Sequence, residues 1–371
     1  MKYYLIAGEA SGDMHGSNLM RELMITDSEA QFRFWGGDRM AELGGKPVMH
    51  IKDLSFMGFW EVLMNIRTIL GYLKFCETDL LQFKPDVLIL IDYPGFNLRM
   101  AEFARKNNIR VVYYISPQIW AWKQSRITKI KENVDKMLVI LPFEKEFYGK
   151  FGVEVEFVGH PLLDAIDKYR SSSASQSFLQ TSGLSGKPII ALLPGSRKQE
   201  ICSNLKTMAA LAKDFPDYQF VVAAVNEHTE CFYSKLLGKS EIKVVFGQTY
   251  HLLAVSMAAI VASGTATLET ALFQVPQVVC YKVSPISYFI ARKLVKVRYI
   301  SLVNLILNRP LVVELIQANF NSRHLKSELS EILCNLDYRQ QMIDGYRELI
   351  QLLGSKGASR NAANVIKDFL S

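Results

Sequence analysis

The chain has 371 residues, 49% hydrophobic and 21% charged, enough apolar material for roughly two to three domains and too much for a disordered chain. Lys and Arg number 43 against 36 Asp and Glu, and the net charge of +7 favours a partner carrying phosphate: a nucleotide, a nucleic acid or an anionic membrane. Five cysteines, an odd number with no C-x-x-C pair, argue against a disulfide framework and a thiolate zinc site, and read as buried free thiols in a reducing compartment.

The N-terminus, MKYYLIAGEASGD, meets Gly8 and Glu9 too soon for a secretory signal, so a cytoplasmic protein is expected. YYLIA (3–7) reads as a strand and AGEASGD (7–13) as the loop that leads into a helix over 16–25. Gly8 and Gly12 allow tight turns there, and Glu9 and Ser11 would face a ligand; the alternative is a plain turn in which Ser11 or Asp13 caps the helix. Neither a G-x-G-x-x-G fingerprint nor a G-x-x-x-x-G-K-[ST] loop occurs, which speaks against an NAD enzyme or a P-loop ATPase.

Residues 54–73 are interrupted by Glu61, Asn65 and Arg67 and do not read as a membrane span. The side chains of Phe56, Met57, Phe59, Trp60, Leu63, Met64 and Ile66 suit either a core, on a helix expected over 60–81, or a surface for acyl chains. VLILI (87–91) is a fully apolar strand ending in Asp92, ahead of a helix over 97–107. A carboxylate so placed can act as a general base, or cap a helix or shape a turn. Strands follow at 111–115 and 137–141, with a helix at 123–133. Lys123, Arg126, Lys129 and Lys131, beside Trp120 and Trp122, form a basic patch or a solvated helix face. His160, in FVGHP, fits a structural hydrogen-bonder better than a catalyst.

The Ser- and Gln-rich stretch 168–187 reads as a linker, closing a first domain at 1–167. The rhythm restarts with strands at 188–193, 219–225, 242–246, 258–262 and 277–281, giving a second domain at 188–335 and a helical segment, 336–371, expected to pack across the domains. In LLPGSR, Gly195, Ser196 and Arg197 suit a diphosphate, or Arg197 is an ordinary surface residue. In SGTATLE, the small residues Ser263, Gly264 and Thr265 would admit a ligand to the backbone and Glu269 could accept ribose hydroxyls; a close-packed helix start is the other reading. Residues 282–298 carry Lys282, Arg292, Lys293, Lys296 and Arg298 among Tyr288, Phe289, Ile290, Leu294 and Val295, with no acid, a pattern for an anionic membrane or a solvated helix face.

The fold class is α/β: two Rossmann-like, doubly wound parallel-sheet domains facing a cleft in which the ligand is expected, with a helical C-terminal tail. No Asp-x-Asp pair and no second His at ligand spacing point to chemistry without a metal or cofactor, and neither basic patch belongs to a nucleic-acid module.

Taken together, AGEASGD (7–13), MGFWEVL (57–63), PDVLILIDYPGFN (85–97), YYISPQIWAW (113–122), FVGHPL (157–162), LLPGSR (192–197), SGTATLE (263–269) and SLVNLI (301–306) closely resemble the lipid-A-disaccharide synthase family, in family order over nearly the whole chain. The resemblance implies a GT-B hexosyltransferase of lipid A biosynthesis, with acceptor on the first domain and sugar nucleotide on the second. It implies inverting transfer of 2,3-diacylglucosamine from its UDP conjugate to 2,3-diacylglucosamine 1-phosphate, giving the beta-1,6-linked disaccharide 1-phosphate and UDP. It also implies peripheral attachment to the cytoplasmic face of the inner membrane, and it leaves room for an oligomer.

By resemblance, Asp92 is the base, Glu9 and Asn304 are tied to activity, Gly195, Ser196 and Arg197 hold the diphosphate, Glu269 holds the ribose, and Glu314 and Gln317 are weaker substrate-binding assignments. The chain departs from the family in having Gly95 where a second acidic residue is common, leaving Asp92 the only carboxylate of its loop, and Val303 where Pro precedes Asn304. Two competing readings remain: a UDP-N-acetylglucosamine 2-epimerase-like enzyme, and a non-catalytic, membrane-associated UDP-sugar-binding protein.

Overall fold

The computed structural model describes residues 1–54, 66–171, 178, 179, 181–295 and 297–371. Strand β1 (Lys2–Ala7) is apolar on both sides because it divides two cores: Tyr4 and Ile6 pack with Leu80 and Met100, while Tyr3, Leu5 and Ala7 pack with Leu19, Met20 and Leu23. The same holds for β4 (Val87–Ile91), in which all five residues are buried. With β2 (Gln31–Gly36), β3 (Met49–His50), β5 (Arg110–Tyr114), β6 (Lys136–Val139) and β7 (Glu156–Phe157) these strands form a parallel sheet ordered β3-β2-β1-β4-β5-β6-β7. A second parallel sheet is ordered β10-β9-β8-β11-β12-β13, from β8 (Ile189–Leu193), β9 (Gln219–Ala224), β10 (Lys243–Phe246), β11 (Ser256–Ala262), β12 (Gln277–Tyr281) and β13 (Glu314–Ile316).

Each strand expected from the sequence is present within two residues of its expected ends. The first helix begins earlier than expected, at Ala10, and the one expected at 97–107 runs Pro94–Lys106. The segment expected to be helical from 123 starts as a 3-10 turn, Gln124–Arg126, and becomes α-helical at Ile127–Asn133. Of the helix expected over 60–81, the part from Ile66 is described and runs to Phe83. Strands β2, β3, β7 and β13 were not foreseen, being short or, in β2, carrying a charged residue: Arg33 bridges to the buried Asp79.

The chain forms two compact units, Met1–Pro161 with Leu353–Ser371, and Leu162–Leu352. The division falls ahead of the 168–187 stretch because the helix Pro161–Arg170 belongs to the second unit, where Arg170 donates to the Leu272 carbonyl at 2.9 Å. Residues 172–177 and 180 of that stretch lie outside the described residues.

The expected tail also divides. The helix Leu336–Leu352 stays with the second unit, whereas the helix Ala358–Leu370 is part of the first, with Ala362, Ala363 and Ile366 in the same core as Leu5 and Leu19. Asn361 Nδ2 fastens it to the Val158 carbonyl at 3.0 Å. The expectation of buried thiols holds for Cys76 and Cys280 alone; Cys202, Cys231 and Cys334 are exposed, each on a helix, and all five are free.

Candidate active site

In both sheets the strand order reverses between two neighbouring strands, β1 and β4 in the first and β8 and β11 in the second. Loops leaving the carboxyl ends of such a pair diverge and open a crevice where α/β sheets bind ligands. Glu9 follows β1, Asp92 follows β4, Gly195–Arg197 follow β8 and Ser263–Thr265 follow β11.

Asp92 and Tyr93 both have left-handed backbones, with φ of +45° and +49°. Consecutive non-glycine residues in that region are strained and must be held there. The Asp92 carbonyl accepts from the Tyr113 hydroxyl at 2.6 Å and from Asn97 Nδ2 at 2.7 Å, and the Asp92 N–H donates to the Tyr114 carbonyl at 3.3 Å. Across the switch point, a Cβ on Gly8 would sit 2.3 Å from the Tyr93 ring, so glycine there lets the two loops touch. Burial pushes the Asp92 carboxyl up to about 6, the Glu9 carboxylate pushes it the same way and the Tyr93 N–H opposes them. A carboxyl so tuned is a base that remains ionised near neutral pH yet binds a proton readily.

Glu9 is the N-cap residue of the helix Ala10–Thr26, and Ser11 is exposed on its first turn. Gly12 lets this helix lie against β1, since a Cβ there would stand 3.1 Å from that of Ala7. Asp13 caps the next helix rather than its own, accepting the N–H groups of Gly37 at 2.7 Å and of Arg39 and Met40 at 3.1 Å. Burial holds His160 down at about 3, with His15 adding to the effect, so it is a neutral buried side chain.

In the second unit, Gly195, Ser196, Ser263, Gly264, Thr265 and Glu269 line one open depression of about 180 Å³, together with Glu200, Val225 and Thr249. Gly195 has φ +115°, and a Cβ there would lie 2.6 Å from Glu200 Oε2. A Cβ on Gly264 would meet nothing within 4 Å, which leaves the backbone open to a ligand. Arg197 is not among the lining residues: its guanidinium, on a side chain 71% exposed, rests on Glu200 at 3.5 Å. So exposed a pair contributes little and is readily exchanged for a stronger anion. The Glu269 carboxyl is raised by burial and accepts from the Tyr250 hydroxyl at 3.0 Å. Ser263 Oγ is occupied by the Ile300 carbonyl at 2.9 Å.

Asn304 is fully engaged inside the unit. Its Nδ2 donates to the Val312 carbonyl at 2.8 Å and to Glu314 Oε1 at 2.9 Å, while its Oδ1 accepts from the N–H groups of Leu311 at 2.9 Å and Val312 at 3.0 Å. Glu314 also accepts from the Ile300 N–H at 3.0 Å and from the Ser301 N–H at 2.9 Å and hydroxyl at 2.8 Å. Asn304 and Glu314 are therefore brought together as a brace for the segment that meets Ser263. Gln317, at φ +52°, pairs through its amide with the N–H and carbonyl of Val283, 3.2 Å each.

Glu200, Thr249 and Tyr250 escaped the sequence reading. Glu200 carries a signal, since an acid three residues after the N-cap Arg197 can accept that residue's N–H, as it does at 3.5 Å; Thr249 and Tyr250 open the short helix Thr249–Ala254 after β10 and carry none.

In the basic stretch 282–298, Phe289 is 61% exposed with Lys293 Nζ 4.4 Å from its ring centre, and Leu294 and Val295 are exposed beside it. Lys296 lies outside the described residues, as do residues 55–65, which include Phe56, Met57, Phe59, Trp60, Leu63 and Met64. Among the described residues no three His, Cys, Asp or Glu side chains converge as metal ligands, and no helix is long and apolar enough to cross a membrane.

Two doubly wound parallel sheets, each with a switch point, define an α/β protein of the GT-B class. A UDP-GlcNAc 2-epimerase from Neisseria meningitidis bound to UDP-GlcNAc has a similar fold, with a TM-score of 0.68 at 14% identity over 100% of this chain and 99% of that one. A family model of lipid-A-disaccharide synthetases matches residues 3–368. Lipid-A-disaccharide synthases from Coxiella burnetii and Syntrophus aciditrophicus are each 39% identical, over 99% of this chain and 98% of the first relative and 97% of this chain and 95% of the second. The chain belongs to the lipid-A-disaccharide synthase family, and is a glycosyltransferase of lipid A biosynthesis that takes a UDP-sugar and an acceptor. The epimerase likeness is one of fold alone.

Proposed function

We propose that the protein transfers 2,3-diacylglucosamine from its UDP conjugate to the 6-hydroxyl of 2,3-diacylglucosamine 1-phosphate, with inversion. The observations that carry this reading are a strained, half-buried carboxyl at the first unit's switch point and a glycine-lined depression at the second's. Asp92 takes the proton of the acceptor hydroxyl as its oxygen bonds to the anomeric carbon. The bond from that carbon to the UDP oxygen breaks, and its electron pair leaves with UDP. The transition state is oxocarbenium-like, so the negative charge gathering on UDP needs stabilisation. The N–H groups of Gly195 and Ser196 and the Arg197 guanidinium, swung off Glu200, supply it. Glu269 accepts the ribose hydroxyls, and Ser263, Gly264 and Thr265 shape the floor.

Glu9 acts on the proton affinity of Asp92, Ser11 and Gly12 border the acceptor, and Asn304, Glu314 and Gln317 position the loops of the second unit. No metal or cofactor takes part. The exposed apolar and cationic side chains of Phe289, Arg292, Lys293 and Leu294 suit the anionic cytoplasmic face of the inner membrane, where both lipid substrates would be met. Purified protein, given both acylated sugars and a chelator, is expected to form the beta-1,6-linked tetraacyl disaccharide 1-phosphate and one UDP per disaccharide. Release of UDP, or an epimerised donor, in the absence of acceptor would overturn the reading.

A further inference from the structure

The loop after β5 is built on a buried pillar. Trp120 lies edge-on to Phe143, ring centres 5.0 Å apart, and its indole N–H donates to Glu144 Oε1 at 3.3 Å. Glu144, itself buried, also accepts the Leu141 N–H at 3.0 Å. The loop leaves β5 through Ile115 at φ +64°, a conformation that β-branched residues rarely adopt. Two residues beyond the pillar, Trp122 is 40% exposed.

Lys123 Nζ stands 4.4 Å from the Trp122 ring centre and the Arg126 guanidinium carbon 5.9 Å from it. Lys123 reaches that position from a left-handed backbone, φ +56°. Neither cation has a carboxylate partner among the described residues. Burial holds the Lys123 ammonium below its ordinary value and the nearby Arg126 charge adds to the effect, the two like charges being gathered over one indole. The cluster follows the carboxyl end of the strand beside the one that leads into Asp92. Its loop leaves the neighbouring strand, and the Arg126 charge reaches the Tyr113 hydroxyl that donates to the Asp92 carbonyl.

Repulsion between the two cations becomes attraction when an anion sits between them. A phosphomonoester, with a charge of about −1.5 to −2 at neutral pH, matches the pair better than the singly charged diester of a phospholipid headgroup. We propose that Trp122, Lys123 and Arg126 form the subsite for the phosphomonoester of the acceptor sugar, the indole holding the two cations together until the phosphate bridges them. This rests on the acceptor reading of the first unit.

The test uses the full chain in non-ionic micelles, with 2,3-diacylglucosamine 1-phosphate and with the same sugar lacking its phosphate. In the Lys123→Ala/Arg126→Ala variant the KM for the phosphorylated acceptor is expected to rise about 10- to 100-fold. Donor KM and kcat should stay within about twofold, and the variant and the unaltered protein should not differ on the acceptor without phosphate. Calorimetric binding of the phosphorylated acceptor should weaken by the same factor. Equal losses on both acceptors, no loss on either, or a loss confined to vesicles of anionic phospholipid would overturn the proposal. Calorimetry separates this from the functional reading. Acceptor binding that depends on the two cations, without sugar transfer by the unaltered protein, would sink the reading and keep the subsite.

Discussion

The two switch points meet the same demand, a sharply turned loop at a strand end, with opposite means. Around the depression of the second unit the turn is made by glycine, Gly195 at φ +115°, with Gly264 leaving open space above its backbone. In the first unit the turns are made by residues that keep their side chains: Asp92 at +45°, Tyr93 at +49°, Ile115 at +64° and Lys123 at +56°. A loop that binds an anion through backbone N–H groups works best with nothing attached to them. A loop that must present a carboxylate or an ammonium cannot give up the side chain, so it accepts the strain and is held by neighbours such as Asn97 and Tyr113.

The largest test of that contrast is Asp92→Asn. Turnover should fall by about 10²- to 10⁴-fold while calorimetric UDP affinity is unchanged. The variant should also be more stable. The carboxyl rises from its ordinary 3.8 to about 6 in the fold, so the native state holds its proton more tightly and the ionised form is disfavoured. That destabilisation is complete above about pH 6, is worth about 3 kcal/mol there as an upper figure, and vanishes below about pH 4. Asn carries no charge and adopts the left-handed region readily. Urea unfolding at pH 7.5 and pH 3.5 should show a gain at the first pH alone; equal stability at both would mean that the site stores no electrostatic strain.

Gly195→Ala tests the other side. The new methyl would lie 2.6 Å from Glu200 Oε2 on a backbone of positive φ, and UDP affinity should drop roughly tenfold with the acid limb of the pH profile unmoved. Unchanged UDP binding would show that glycine is not needed there.

The smallest effect belongs to Glu9→Gln. For the unaltered protein log kcat/KM should rise with pH, at a slope of one, through about 6. Removing the Glu9 charge should shift that limb down by roughly one pH unit or less, because burial is the larger cause. A limb that stays in place would leave burial as the sole origin.

What could be read from the residues follows from how each is buried. Strands β1, β4, β5, β8 and β11 are covered on both faces and appear as unbroken apolar runs. Strand β2 breaks its run with Arg33, whose charge is neutralised by an Asp79 far along the chain, and β13 is only three residues long. Site residues at strand ends were legible because glycine, Ser and acids there are local features. Tyr250, which bonds Glu269, was not: it arrives on another helix, Thr249–Ala254, and the meeting exists only after folding. The opposite case is Asn304, whose motif marks it for the site while its amide is fully used as a brace.

The helix Ala358–Leu370 sets an order of events during synthesis. It supplies Ala362, Ala363 and Ile366 to the core that also holds Leu5 and Leu19, so the first unit cannot seal that layer until this helix has been made. The second unit is one continuous stretch, Leu162–Leu352, and can finish first. Until then the side of the helix Ala10–Thr26 against which this helix packs stays open to water. The half that carries Asp92 begins synthesis first and closes last, so a nascent or truncated chain is most vulnerable to aggregation and proteolysis in that half.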